Sequence, residues 1–201
     1  MLKIIFGVVL YIFASVGACA QAPTVTIGKY FTNVPGSVIT RTANTTAYSA
    51  NETVCAATSV TVCVPGTIQI ASVNGGIQFI NRVALLKSGS STTTATFTIW
   101  FFSAAPGTAS PSQFDATAYT GPRAADMPNY IGSATCGTPV ATSDSSAQVW
   151  YECTLSNPNT GNVLDALAIT GTRNIDYLLS VTSAYTPASA ETFTPYVSGF
   201  Y

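Results

Sequence analysis

After an apolar run from Ile4 to Val16, interrupted only by Ser15, the chain alternates short apolar–polar stretches with Gly, Pro, Asn and Ser punctuation. Side chains of a strand point alternately to opposite faces, so a period of two predicts strands. The clearest case is Ala95 to Phe102, with Phe97, Ile99 and Phe101 on one face and Thr96, Thr98 and Trp100 on the other. Gly36 to Thr42 and Tyr48 to Ala56 read as early extended pieces, and Val60 to Val64 runs into a turn signal at Pro65-Gly66. Thr67 to Ser72 places Ile68 and Ile70 together, and Asn74-Gly75-Gly76 is a hairpin signal before Ile77 to Lys87.

A Ser/Thr/Gly stretch, Ser88 to Thr94, leads into the Ala95 strand, and a Pro-rich irregular segment from Ser103 to Pro128 follows it. Segments of that length tend to be functional or interaction surfaces, and this one would reach a neighbour if the domain acts by packing against partners. Tyr130 to Ala134 and Ala147 to Leu155 resume strand character, with a turn at Asn157-Pro158-Asn159-Thr160-Gly161. Val163 to Ile169 fits helix or strand, with strand favoured, and Asp176 to Thr182 and Phe193 to Phe200 complete the series. No long amphipathic helix and no repeat of fixed period is visible. About eight to ten short strands predict one all-β domain, as a jelly roll or β-sandwich in preference to a closed barrel.

The first twenty residues stand apart. Lys3, the apolar run and Gly17-Ala18-Cys19-Ala20 have the layout of a secretory signal peptide, with Ala18 and Ala20 suiting cleavage before Gln21. The apolar run is short for a membrane-spanning helix, which needs about 20 residues. Val16-Gly17-Ala18-Cys19 also fits a lipobox that would lipidate Cys19, and a retained anchor is the third reading. The organisation expected is a leader over 1–20 and a β-domain over 21–201. Membrane association is expected only through the leader, which points to a periplasmic, outer-membrane lipoprotein or secreted product.

Composition narrows the function. Charged residues make up 7% against 47% hydrophobic, and the chain is rich in Thr, Val, Ile, Tyr and Phe, so it folds and presents a neutral, hydroxyl-covered surface. Net charge is −1 and the seven basic residues are scattered, which leaves nucleic-acid binding without electrostatic support. Four cysteines follow the leader: Cys55, Cys63, Cys136 and Cys153. An even number behind a leader predicts two disulfides in an oxidising compartment, and proximity favours Cys55–Cys63 and Cys136–Cys153. Free buried thiols are the alternative, and a zinc site is disfavoured by the absence of histidine and of closely spaced pairs.

Catalytic chemistry has little to draw on. The chain has no histidine to act as general base or to orient a nucleophile. Asp115, Asp126, Asp144 and Glu152 could supply a glycosidase pair in principle, but their spacing does not favour it over solvated loop acids. Gly75-Gly76 lacks the Lys-Ser/Thr of a phosphate loop. The expectation is therefore no enzyme, no cofactor and no metal. Aromatics remain: Tyr119, Tyr130, Trp150, Tyr151 and Tyr185 are candidates for an interaction surface able to stack on a surface glycan, against the plainer reading of core or subunit packing.

Several segments carry a resemblance. Arg41-Thr42-Ala43-Asn44-Thr45-Thr46-Ala47-Tyr48-Ser49-Ala50 is similar to an Arg-x-Ala-x-Thr-Thr-Ala-Tyr-x-Ala stretch in a group of largely uncharacterised tailed-phage virion-associated proteins. Val83 to Ser88, Phe97 to Pro106, Phe114-Asp115-Ala116, Asn129-Tyr130-Ile131-Gly132, Tyr177-Leu178-Leu179 and Ala184-Tyr185-Thr186-Pro187-Ala188-Ser189-Ala190-Glu191-Thr192-Phe193 resemble further segments in the same order. Together they span most of residues 36 to 200. The resemblance implies a β-sandwich structural or accessory protein of the virion, such as a head decoration, collar or tail-associated piece. Its partners would be copies of itself or other virion structural proteins, and it implies no catalytic residues. The export leader and the four cysteines depart from that group, whose particles assemble in a reducing cytoplasm.

Overall fold

A computed structural model describes residues 30–41, 45–55, 63–71, 77–89, 95–107, 116–141, 148–157, 164–167 and 172–200. The leader with Cys19, the Asn74-Gly75-Gly76 hairpin signal, most of the Ser/Thr stretch 88–94 and the turn after Asn157 lie outside the described residues. The strands are β1 (Tyr30–Pro35), β2 (Ile39–Thr40), β3 (Thr53–Val54), β4 (Gly66–Gln69), β5 (Ile77–Ser88), β6 (Phe97–Phe102), β7 (Tyr130–Ala141), β8 (Gln148–Ser156), β9 (Leu164–Leu167), β10 (Asn174–Val181) and β11 (Thr192–Phe200). A 3-10 turn, Met127–Asn129, precedes β7.

These strands form one antiparallel sheet in the order β1-β11-β5-β8-β7-β6-β10-β3, with β2 beside β11, β4 beside β10 and β9 beside the first part of β5. The sheet folds over on itself. Phe97 on β6 and Phe193 on β11 stand four strands apart, which in a flat sheet is about 19 Å at the usual strand spacing. Their ring centroids lie 5.4 Å apart. The inward-facing residues of both halves accordingly make one core, including Ile39, Ile68, Leu85, Phe97, Ile99, Phe101, Tyr177 and Phe193. This is the sandwich-like all-β single domain that the alternation predicts.

One side of the sandwich is sewn shut. The Ser37 amide donates to the Thr67 carbonyl at 2.8 Å, the Thr67 amide donates to Ser37 Oγ at 2.9 Å, and the Tyr177 hydroxyl donates to the Ser37 carbonyl. Gly36 makes the approach possible, because a Cβ there would come within 2.8 Å of Pro195 and 2.9 Å of Ile68. At the opposite end of β11, where the pairing with β5 shifts register, a Cβ on Gly199 would collide with the Phe79 carbonyl.

Both disulfides take the local pairing that proximity favoured. Cys136–Cys153 links directly opposed residues of β7 and β8 across a Cα separation of 4.1 Å, and Cys55–Cys63 spans 5.5 Å. Three local readings are corrected. The early strand over 36–42 is interrupted at Gly36-Ser37-Val38, where the chain leaves β11 to reach β4. Pro65-Gly66 is no turn: Gly66 opens β4, since any side chain there would strike the ring of Tyr177. The strand expected to end at Ala134 runs on to Ala141, through a register shift between Cys136 and Thr138 that the Gly137 position absorbs.

Candidate interaction surface

Lys87 falls on the inward face of β5 with Val83 and Leu85, opposite Phe193 and Val149 of the neighbouring strands. A cation placed in the core needs a partner. Glu191, immediately before β11, supplies it: Lys87 Nζ lies 2.5 Å from Glu191 Oε1, with both side chains fully buried. The Tyr185 hydroxyl donates to Glu191 Oε2 at 2.9 Å. The Tyr185 ring stacks on Tyr48 at 5.6 Å, and the Tyr48 hydroxyl accepts from Arg41 Nε at 2.5 Å. The Arg41 guanidinium also lies 4.6 Å over the Tyr48 ring, and its backbone amide donates to the Glu191 carbonyl at 2.9 Å. Phe97 closes the cluster with edge-on contacts to Tyr151, Tyr185 and Phe193. Burial, then the Glu191 charge, pushes the Tyr151 phenol up to about 12 and drives Tyr185 much further in the same direction.

Besides the ring contacts of Phe200 with Tyr30 and Phe79, the exterior aromatics form two patches. On the outer face of β8, β5 and β11, Trp150 and Tyr196 meet at 5.2 Å across strand β5, over Ala84 and beside the half-buried Leu86. Val140, opposite Trp150 on β7, extends the patch with 51% of its surface exposed. Its polar rim is Arg82, which bridges to Glu152 and donates to Asn33 at 3.0 Å, while Trp150 Nε1 donates to Glu152 at 2.8 Å. Desolvation works against the Glu152 charge, but the hydrogen bonds from Arg82 and Trp150 and the Arg82 charge prevail and lower its pKa.

The second patch lies on the outer face of β6, β10 and β7. Trp100, Phe102, Leu178, Tyr119 and Tyr130 pack together there, and Trp100 Nε1 donates to Ser180 at 2.9 Å. The irregular segment after β6 covers this patch. Its residues 116–119 hydrogen-bond along Asn51 and Thr53, and Asp126 accepts from the Gly107 amide and from Arg123, each at 2.9 Å. The described parts of 103–128 therefore pack on their own sheet, and residues 108–115 lie outside the described residues.

Of the five aromatics singled out from sequence, only Trp150 and Tyr130 keep a partly exposed ring. Tyr151 and Tyr185 belong to the core and Tyr119 is buried at 3% exposure, so these three are packing residues. No family model and no curated protein matches the chain. The surface thus has to be read from its own chemistry. Its principal addition is Tyr196, which alternation places with Thr194 and Ser198 on the outer face of β11, although only the β11–β5–β8 register brings it to Trp150. Of the four candidate carboxylates, Asp126 is bound to Arg123 and Glu152 to Arg82, while Asp115 and Asp144 lie outside the described residues. Among the described residues, no group of three or more His, Cys, Asp or Glu could hold a metal ion, and no helix is long and apolar enough to cross a membrane.

Proposed function

We propose that this chain is a non-catalytic structural or accessory protein of a tailed-phage virion, in a head-decoration, collar or tail-associated role, which acts by packing its β-domain against copies of itself or other virion proteins. The observation that carries the reading is the convergence of the resembling segments. Arg41 and Tyr48, Lys87, Phe97, and Tyr185, Glu191 and Phe193 come from four separate stretches and meet in one buried cluster. The segments that carry the resemblance thus supply the side chains of this cluster, which supports reading them as core-forming. The outer patch of Val140, Trp150, Leu86 and Tyr196, with Arg82 and Glu152 at its rim, is the assembly surface this reading assigns. Mass spectrometry of purified particles tests it: the protein is expected as a stoichiometric component, and its absence would refute the role. Trp150→Arg should fold yet lose incorporation.

The disulfides favour a second reading. Two bridged cysteine pairs suit an oxidising, exported setting, and a tilted Trp150–Tyr196 pair beside Arg82, Glu152 and Asn33 has the mixed stacking and hydrogen-bonding character of a sugar site. Under this reading the chain is an exported adhesin-like or carbohydrate-binding module in the periplasm, on the outer membrane or outside the cell. A glycan array on the oxidised protein separates the two: binding abolished by Trp150→Ala supports the module, and an empty array counts against it.

A further inference from the structure

The Lys87–Glu191 pair has a geometry that the packing role does not require. We propose that Lys87 and Glu191 condense spontaneously into an intramolecular isopeptide bond, a covalent staple between β5 and the start of β11.

The amine and the carboxyl oxygen are held 2.5 Å apart, with no exposed surface on either side chain, so the carboxyl carbon is one bond further on. Reacting groups fixed in this way reach effective molarities of about 10⁵–10⁸ M, enough to drive reactions that free amines and acids do not undergo in water. The walls are aromatic: Phe97, Tyr151, Tyr185 and Phe193. Keeping two opposite charges in such a place carries a desolvation cost on each ion, and an amide removes both charges at once.

The chemistry balances without an outside reagent. Proton transfer within the pair leaves a neutral amine and a neutral acid. The Nζ lone pair attacks Glu191 Cδ to form the C–N bond, and the negative charge develops on the carbonyl oxygen. Tyr185, whose hydroxyl already donates to Glu191 Oε2, stabilises that charge. The amine gives up a proton, the C–O bond to Oε1 breaks, and the oxygen leaves as water, so nothing is oxidised or reduced. The Tyr151 hydroxyl, buried without a hydrogen-bond partner among the described residues, lies close enough to Glu191 to feel its charge.

The bond would hold the last strand of the domain to its neighbour against pulling and heat, which suits either a particle component or an exported module. A tryptic map of the full chain, denatured, reduced and alkylated, tests it directly. Lys87 and Arg82 are cleavage sites, and the next basic residues are Arg123 and Arg173. An acylated Lys87 resists trypsin, so peptide 83–123 should appear joined to peptide 174–201, lighter than the sum of the two by one water. Recovery of free peptide 83–87 as the dominant product would overturn the proposal. A Tyr185→Phe variant that folds should accumulate the linked peptide more slowly, and a Lys87→Arg variant should give none. Linked peptide in the Lys87→Arg variant would overturn the assignment of the amine.

Discussion

The folding-over of the sheet rests on contacts between strands far apart in the ladder, and a double-mutant cycle on Phe97 and Phe193 measures one of them. Phe97→Leu removes three edge-on ring contacts, to Tyr151, Tyr185 and Phe193, whereas Phe193→Leu removes only the one they share. Such ring pairs contribute about 0.5–1.5 kcal/mol each beyond buried area. Phe97→Leu should therefore cost about 2–4 kcal/mol and Phe193→Leu about 1–2 kcal/mol, both including a loss of packing volume. In the double variant the shared contact is lost once instead of twice, which leaves a coupling of about 0.5–1.5 kcal/mol. Equilibrium urea unfolding with the disulfides intact reads it as shifts in midpoint at constant slope. In a flat sheet the two rings would sit about 19 Å apart and their effects would add within about 0.3–0.5 kcal/mol. Additivity in that range would refute the closed sandwich. A larger cost for Phe193→Leu than for Phe97→Leu would refute the placing of Phe97 at the hub.

Three further outcomes are expected. Replacing Cys136 and Cys153 by Ala should cost about 3 kcal/mol, and replacing Cys55 and Cys63 slightly less, because the separations closed are 17 and 8 residues; thermal melts should show the difference, and the reverse order would contradict the loop-entropy account. Gly199→Ala should destabilise by about 1–3 kcal/mol through collision with the Phe79 carbonyl, whereas Gly137→Ala, with open space around it, should stay within about 0.5 kcal/mol in the same denaturant assay. Tyr119, Tyr151, Tyr177 and Tyr185 have phenols raised chiefly by burial, Tyr151 to about 12, so the folded state holds these protons when the unfolded chain has released its own. Stability should be level with respect to these groups below about pH 10 and fall as pH rises above it; ultraviolet titration should show them ionising only as the protein unfolds, and all ten tyrosines ionising together near pH 10 would refute their burial.

The inward face of β6 was legible because Phe97, Ile99 and Phe101 recur with a period of two, against Thr96, Thr98 and Trp100 on the other face, and all three are fully buried. The missed strand, Tyr30–Pro35, has the exposure of an edge, with most of its side chains in solvent, so it lacks the strict alternation that marks a strand buried on one side. What covers the second patch is not legible in the sequence for a different reason. Trp100 and Phe102 share the face opposite the core, and what covers them is an irregular segment with no periodicity to follow.

By itself the sequence determined the all-β class and the position of most strands, and proximity along the chain favoured the cysteine pairing that the structure then showed. Alternation separates Trp150 from Tyr151 onto opposite faces but does not say which face is covered. Only the register of β8 against β5 and β7 turns Tyr151 into the core and Trp150 out to meet Tyr196. The same holds for Lys87, whose place beside Glu191 depends on β11 returning to lie against β5. Burial and pairing of this kind are made by residues distant in the chain, and local periodicity carries no information about them.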